Sequence, residues 1–507
     1  MADSAKQKTL KEKGDMMHGV SNRIVGCLLA LAVAVGAAPA AALTYVAVPD
    51  GRLVDRADAI VRGTVVSNEI SAQTGRVMTT YELAVERVLK GRDQGSRLLV
   101  RIPGGIDLQK GLAVKIFGTP EFSPGERVLL FLSGSWDGSY RVLHVFQGAF
   151  TARGTGQREY YQRPADDAFE VVRPAARSGE SAESDDIQIR RAAPAPRHAG
   201  MFENWIEDRL AGIRRTPDYL LEEVQEGPAV FTSPFTYLAG QDLVLRWTDF
   251  DDGGKVKWHR HSDGQPGFSA GGKKEFRKAR KAWKKKFSGV PIKLTDAGTT
   301  GSTTGFGVSD AKNTILFEDF NNTIGEEFEC PAGGILAIGG LSSTDFFFTD
   351  WKGLSALTAR EGEIIVNDGV GCFINGSAKI LGQIYAHELG HTLGIGHACG
   401  DSDSPKCSKS DFLSEALMRA TVGDAIGPEI RDDDVLAARQ IYDPDFWTAA
   451  CDKKVPGARS FCSRCGPCGE GQGNCKKDSD CFGNLVCTKD VGTEFGFDAD
   501  VNVCTEP

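Results

Sequence analysis

His387, Glu388, His391, Gly394 and His397 fall within one segment, LGQIYAHELGHTLGIGHACG, residues 381–400. No other stretch of this chain so narrows what it can fold into. Ile380, Leu381, Ile384 and Tyr385 precede the first histidine at helical spacing, which predicts a helix carrying His387 and His391. Four residues make about one turn, so both rings share a face and can grip one ion. Gly394 lets the backbone leave the helix with a positive φ, and the chain then turns back to bring His397 to the same ion. Three neutral nitrogen ligands suit Zn2+ and leave its fourth position open, which separates a catalytic site from a structural one. Glu388 follows the first ligand, so it points beside the metal and can take a proton from water whose pKa zinc lowers to about 7. His-Glu-x-x-His alone occurs by accident; Gly394 and His397 fix five positions in eleven residues.

The pattern HExxHxxGxxH resembles that of the metzincin zinc proteases, and the chain around it, about 210 of 507 residues, is matrixin-like. The resemblance implies an α/β (α+β) domain over 236–446 with a mixed twisted sheet and an active-site helix. It also implies a Met-turn below the metal. Met418, in EALMRA, lies 21 residues after His397 and is the sole methionine beyond the motif. Residues 333–341, GGILAIGGL, resemble the sheet-edge strand that lines the cleft, which makes Ile335, Leu336 and Ala337 candidate substrate-binding positions through main-chain pairing. Asp432-Asp433-Asp434 followed by VLAARQIY resembles the last helix of the family, with Asp432 as its N-cap. The chain departs from the family in places. Ala398 follows the third histidine, and Ile338 stands where matrixins carry a histidine for a second, structural zinc, so one catalytic zinc is implied. No cysteine lies between Cys27 and Cys330, which excludes a cysteine-switch propeptide. Latency then needs another blocking group, for which a carboxylate within 201–235 is the expectation.

The N-terminus sets the expected compartment. Lys6, Lys8, Lys11, Lys13 and Arg23 precede an uncharged run, residues 24–42, closed by small residues that fit an A-x-A cleavage site. Residues 1–42 therefore read as a secretory signal with a long basic region, shortened if Met16 or Met17 is the start; a membrane anchor is the alternative. Removing the signal removes Cys27 and leaves 12 of 13 cysteines, all at or beyond Cys330. An even count in an exported chain implies disulfides. The expected location is secreted, with no stable membrane insertion after cleavage. A net charge of −9 argues against nucleic acid as a partner.

Five regions follow from the pattern. After the signal, 44–153 reads as an all-β unit, a small barrel or sandwich. Thr79 to Arg87 alternates there, with Tyr81, Leu83 and Val85 on one face. A strand is predicted over Tyr140–Phe150, with His144 inside it. Residues 154–235 read as a linker with a short helix carrying Phe202, Trp205, Ile206, Leu210 and Ile213. Its dibasic pairs Arg190-Arg191 and Arg214-Arg215 are candidate activation points, against plain surface charge. Within 236–446, strands are predicted at Asp242–Trp247, Thr314–Phe317 and Ile364–Val366, and a helix over Lys273–Phe287. Nine Lys and Arg residues cover that helix outside its apolar stripe, which reads as a solvated face. Residues 447–507 hold eight cysteines and read as a small disulfide-rich module.

Further candidates are weaker. His259 and His261, spaced H-x-H, can bind metal with Asp263 or be plain surface histidines. Asp401 and Asp403 offer calcium ligands in the loop after His397, or a solvated acidic turn. Cys399 with Cys407, and Cys330 with Cys372, are candidate pairs. Cys465-Gly466-Pro467-Cys468 has redox spacing but lacks strand-to-helix context, so structural disulfides are expected. The reading as a whole is a secreted zinc endopeptidase acting on protein or peptide. Its alternatives are a non-proteolytic adhesion protein with a structural zinc domain, or a zinc amidase on a non-protein substrate.

Overall fold

Val77, Thr79, Tyr81 and Leu83 are buried in turn while their neighbours reach outward, the period-two pattern of a strand with one face on a core. That strand belongs to a computed structural model that describes residues 44–443 and 462–505. Within those ranges 74–75, 93–94, 135–137, 164–167, 173–187, 193–195, 222–236, 239–242, 286–291, 307–308, 331, 345–348, 352–353, 401–403, 405–406, 408–410, 422–425, 463–467, 469–472, 482–484 and 496 lie outside the description. The signal expected over 1–42 lies outside it as well. The fold is mixed α/β, with several sheets and few helices.

The first half begins with β1 (Thr44–Val46) and α1 (Asp50–Arg56). Then come β2 (Ala59–Gln73), β3 (Arg76–Lys90), β4 (Arg97–Pro103), β5 (Gly105–Asp107), β6 (Leu112–Ile116), β7 (Arg127–Gly134), β8 (Tyr140–Val142) and β9 (Ala149–Arg153). β10 (Tyr160–Gln162), β11 (Ala168–Val172), β12 (Gln188–Ala192), β13 (Arg197–His198) and α2 (Ala199–Leu210) complete it. β7, β2, β3, β4 and β8 bond in that order, and β8 also pairs with β7, so five strands close into a small barrel. Val61, Leu83, Val100, Leu130 and Val142 fill it. The strand expected over Tyr140–Phe150 is instead two short strands joined by turns. His144 and Val145 sit there at φ +49° and +60°, a region extended backbone cannot visit. α2 buries Phe202, Trp205 and Ile206 against Tyr219. It stops before the expected Ile213, which is exposed beyond Gly212 at φ +83°.

The second half holds β14 (Leu243–Arg246), β15 (Val256–His261), α3 (Lys273–Lys285), β16 (Leu294–Thr300), β17 (Asn313–Leu316), β18 (Gly334–Ser343), β19 (Thr349–Trp351), β20 (Leu354–Thr358) and β21 (Glu361–Val366). α4 (Gly371–Ile374), α5 (Ala378–His391), α6 (Asp411–Ser414) and α7 (Asp432–Tyr442) follow. Its main sheet runs β16-β15-β17-β21-β18-β6-β5. β16, β15, β17 and β21 are mutually parallel, and β18 runs antiparallel beside β21. α3 and α5 pack together, and the Trp283 indole N–H donates to the Ala386 carbonyl at 2.7 Å. Phe276, Ala279 and Trp283 of α3 join Leu381, Ile384 and Leu389 of α5 in the largest core cluster.

Two strands of this sheet come from the region expected to stand alone. β6 pairs antiparallel with Gly340–Ser343 of β18, and β1 pairs with its Gly334–Ala337 end. The boundary at residue 153 therefore does not interrupt the hydrogen bonding. In the tail β22 (Val486–Thr488) pairs with β23 (Val503–Thr505). Disulfides join Cys462 to Cys468, Cys475 to Cys487 and Cys481 to Cys504. Cys468 therefore does not pair within its CxxC; Cys451 and Cys465 lie outside the described residues. Among the described residues no helix is long and apolar enough to cross a membrane.

Candidate metal centre

α5 begins where the Ser377 hydroxyl accepts the Ile380 N–H at 3.3 Å, and its body is buried from Leu381 onward. It ends just after His391. Trp247 and Tyr442 donate side-chain hydrogen bonds to the Thr392 and Leu393 carbonyls at 2.7 and 2.9 Å, satisfying two acceptors the last turn leaves open. Gly394 then adopts φ +82°, and a Cβ there would collide with the Leu245 carbonyl. Both constraints call for glycine. The turn brings His397 back beneath the helix.

The three rings converge. His391 Nε2 lies 2.9 Å from His387 Nε2, which lies 3.1 Å from His397 Nε2. His387 Nδ1 faces the Leu417 carbonyl and His391 Nδ1 faces the Ile395 carbonyl, each at 2.9 Å. A carbonyl accepts only, so each Nδ1 carries the proton and each Nε2 holds a lone pair. Burial pushes all three imidazoles well below their ordinary pKa, which keeps them neutral. Lone pairs turned toward one another in a dry site fit a cation. Among the described residues the group contains these three ligands and no fourth. The residues present therefore fit zinc with one position left open.

Glu388 is fully buried. Burial pushes its carboxyl up to about 8, against the pull of hydrogen bonds from Thr44. The Thr44 hydroxyl donates to Oε1, while Oε2 is buried with no hydrogen-bond partner among the described residues. Met418 is buried, with its sulfur against the place a Cβ on Gly390 would occupy. Its carbonyl accepts the Ala398 N–H at 2.8 Å.

No motif in the sequence marks the anchor of this turn. Asp434 accepts the N–H groups of Leu417 and Met418 at 3.0 Å each, and of Arg431 at 2.7 Å. Asp432 is not the N-cap of α7. Arg431 holds that position, and Asp434, three residues on, reaches back to its N–H.

Ile335, Leu336 and Ala337 are buried in β18, and the strand is not a free edge. β21 takes one side, and β1 and β6 take the other. The Phe117 ring stacks on His391, centroids 4.2 Å apart and planes 9° apart, and lies 5.0 Å from His397. No motif marks Thr44 or Phe117 in the sequence. The carboxylate expected to block the metal from within 201–235 is not among the described groups at the site; 222–236 lie outside the description.

The remaining candidates separate. His261 is buried against Phe320, and neither it nor His259 joins a metal-holding group among the described residues. Asp401 and Asp403 lie outside the described residues. The acidic group that is described comprises Asp310, Glu361 and Glu363. Cys330 bonds to Cys372 and Cys399 to Cys407, so the loop after His397 is stapled. Arg214 and Arg215 are exposed beyond α2, and Arg190 and Arg191 fall in β12. No protein-family model matches this chain, and no curated protein matches it.

Proposed function

We propose that this protein is a secreted, zinc-dependent endopeptidase of matrixin-like type. The observation that carries the reading is the convergence of three neutral imidazoles on one point beside a buried carboxylate of the helix that bears two of them, with no fourth protein ligand described there. A structural site would fill its fourth position and would need no general base. β18, antiparallel beside a parallel set and crossed by the histidine helix, supports the matrixin likeness, as does Met418 under Gly390. The disulfides support an oxidising compartment.

His387, His391 and His397 hold the metal. Zinc held there supplies Lewis acidity toward a scissile carbonyl and acidifies water at neutral pH. Glu388 is the general base: it takes the proton of the attacking water and later gives it to the leaving amine. The β18 backbone holds an extended peptide by strand addition once its edge is free. Met418 bears no titratable group and acts by shape, fixing the floor of the site through Gly390.

The test uses residues 43–507 expressed under oxidising conditions, intact and after limited proteolysis within 174–235, on casein and gelatin. Glu388→Ala is expected to bind zinc one-to-one as the parent does while hydrolysis falls about 10²–10⁴-fold, the usual weight of a general base. A chelator should abolish the parent's activity. A nicked, zinc-loaded parent that cleaves neither substrate would leave the adhesion-protein reading in its place.

A further inference from the structure

β1 and β6 run in the same direction along one side of β18, both antiparallel to it. β6 covers Ser343 back to Gly340, in the register Ala113 opposite Ser343 and Ile116 opposite Gly340. The Phe117 N–H then donates to the Gly339 carbonyl at 3.2 Å. β1 resumes at Thr44 opposite Ala337 and ends at Val46 opposite Gly334. The two pieces lie end to end like a single extended peptide with one break. The break falls at the metal centre: Phe117, on the upstream side, stacks on His391, and Thr44, on the downstream side, donates its hydroxyl to Glu388.

We propose that this chain inhibits itself with a split peptide mimic, β6 with Phe117 on one side of the reacting point and β1 on the other. The proposal rests on the protease reading and adds how that site is regulated. A strand edge offers one set of N–H and C=O groups, and a substrate peptide needs the set that β1 and β6 already use. Mimic and substrate therefore exclude one another. Substrate affinity is the affinity of the open cleft multiplied by the fraction of time the cleft stands open.

The mimic is held from behind. Gln147 accepts the Val48 N–H at 2.7 Å and donates to the Val46 carbonyl at 3.3 Å. Tyr45 packs edge-on against Phe146 at 4.9 Å. These supports follow His144 and Val145, whose positive φ is costly for residues with a Cβ, most of all for branched valine. Such strain persists where surrounding contacts over-determine the conformation, and here it aims Phe146 and Gln147 at β1. β5 and β6 are tethered at both ends to barrel strands, so the upstream half of the mimic leaves the cleft only if the barrel moves with it.

The experiment uses the full exported chain with its zinc content measured. A fluorescent peptide hydroxamate, which needs both zinc and a free β18 edge, is titrated into the parent and Phe117→Ala. The variant is expected to bind at least tenfold more tightly. In parallel, amide deuterium exchange is read over Gly334–Ser343 of the parent without probe. The amides of Leu341 and Ser343, which face β6, should exchange as slowly as those of β21, whereas an open edge leaves these alternate amides fast. Equal probe binding by zinc-loaded parent and folded variant would overturn the proposal and leave the protease reading intact. Fast alternate amides in the parent would overturn it too. A chain that takes up no zinc sinks the protease reading instead, and the exchange data then decide by themselves whether the edge is filled. They also decide if Phe117→Ala fails to fold.

Discussion

Asp434 sets one carboxylate against three backbone N–H groups, two of them at the turn beneath the metal centre. Each hydrogen bond to a charged acceptor is worth about 1.5–3 kcal/mol, and deleting the acceptor leaves buried donors unsatisfied. Asp434→Ala is therefore expected to lower stability by about 3 kcal/mol or more and to weaken zinc binding, because Met418 and the Leu417 carbonyl behind His387 both hang on that turn. Asp434→Asn keeps one acceptor oxygen and should recover part of the loss. Denaturant unfolding with zinc titration reads both; two variants within about 0.5 kcal/mol of the parent would show that the turn stands without the carboxylate. The sequence points to this region through Met418 alone. Asp432, Asp433 and Asp434 look alike in one dimension, and only the closing of the turn decides which faces inward.

At the scale of elements, what could be read in advance follows periodicity, and what could not follows pairing. α5 was legible because its apolar residues recur at helical spacing and its histidines share a face. β3 was legible through its alternation. Period two says which face of a strand is buried and nothing of which strand lies beside it. Hence β6, whose Ala113, Val114 and Ile116 fit a barrel equally well, reads as part of a separate β unit although it bonds to β18. β21 shows the same limit: Ile364–Val366 was evident, yet the strand begins at Glu361, with Glu361 and Glu363 both buried. Neither carboxylate oxygen of Glu363 has a hydrogen-bond partner among the described residues. Burial first, then the charges of Glu361 and Asp310, push its pKa well above the ordinary carboxylate value. The native state thus holds its proton to a higher pH than the unfolded chain does. Stability from this group is complete below about pH 4 and declines as pH rises toward the native value. Glu363→Gln should match the parent near pH 4 and exceed it increasingly toward pH 8, by about 1 °C in Tm for each kcal/mol recovered in a cooperative unit of this size. Thermal unfolding across that range with chelator present checks it, and parallel curves would show that the carboxyl is not strained.

For the whole molecule the shared sheet matters more than the boundary at residue 153. β5 and β6 belong to the second sheet yet lie between β4 and β7, two strands of the barrel. Side chains reinforce the join: Arg141 donates to the carbonyls of Asn322 and Thr323 at 2.7 Å, Arg76 donates to the Asn321 carbonyl at 3.0 Å, and Glu326 accepts from Ser133 and from the His144 N–H. Opening either half removes partners from the other, so described residues 44–221 and 237–443 should unfold in one transition. A metal that binds the folded site alone, as proposed for zinc, would stabilise it by RT ln(1 + [Zn]/Kd), about 2.7 kcal/mol at a hundredfold excess over Kd. If the halves are one cooperative unit, that increment must also appear far from the metal. Amides of Phe202–Ile206 in α2 and of Tyr385–Leu389 in α5 are then expected to share their slowest exchange rate, and zinc should slow both by the same factor. Protection by zinc confined to α5 would mean that the barrel folds by itself and that β6 detaches without unfolding it. The cleft would then be opened by local release of one strand, whereas a common factor requires the whole first half to be removed or reorganised before a substrate can enter.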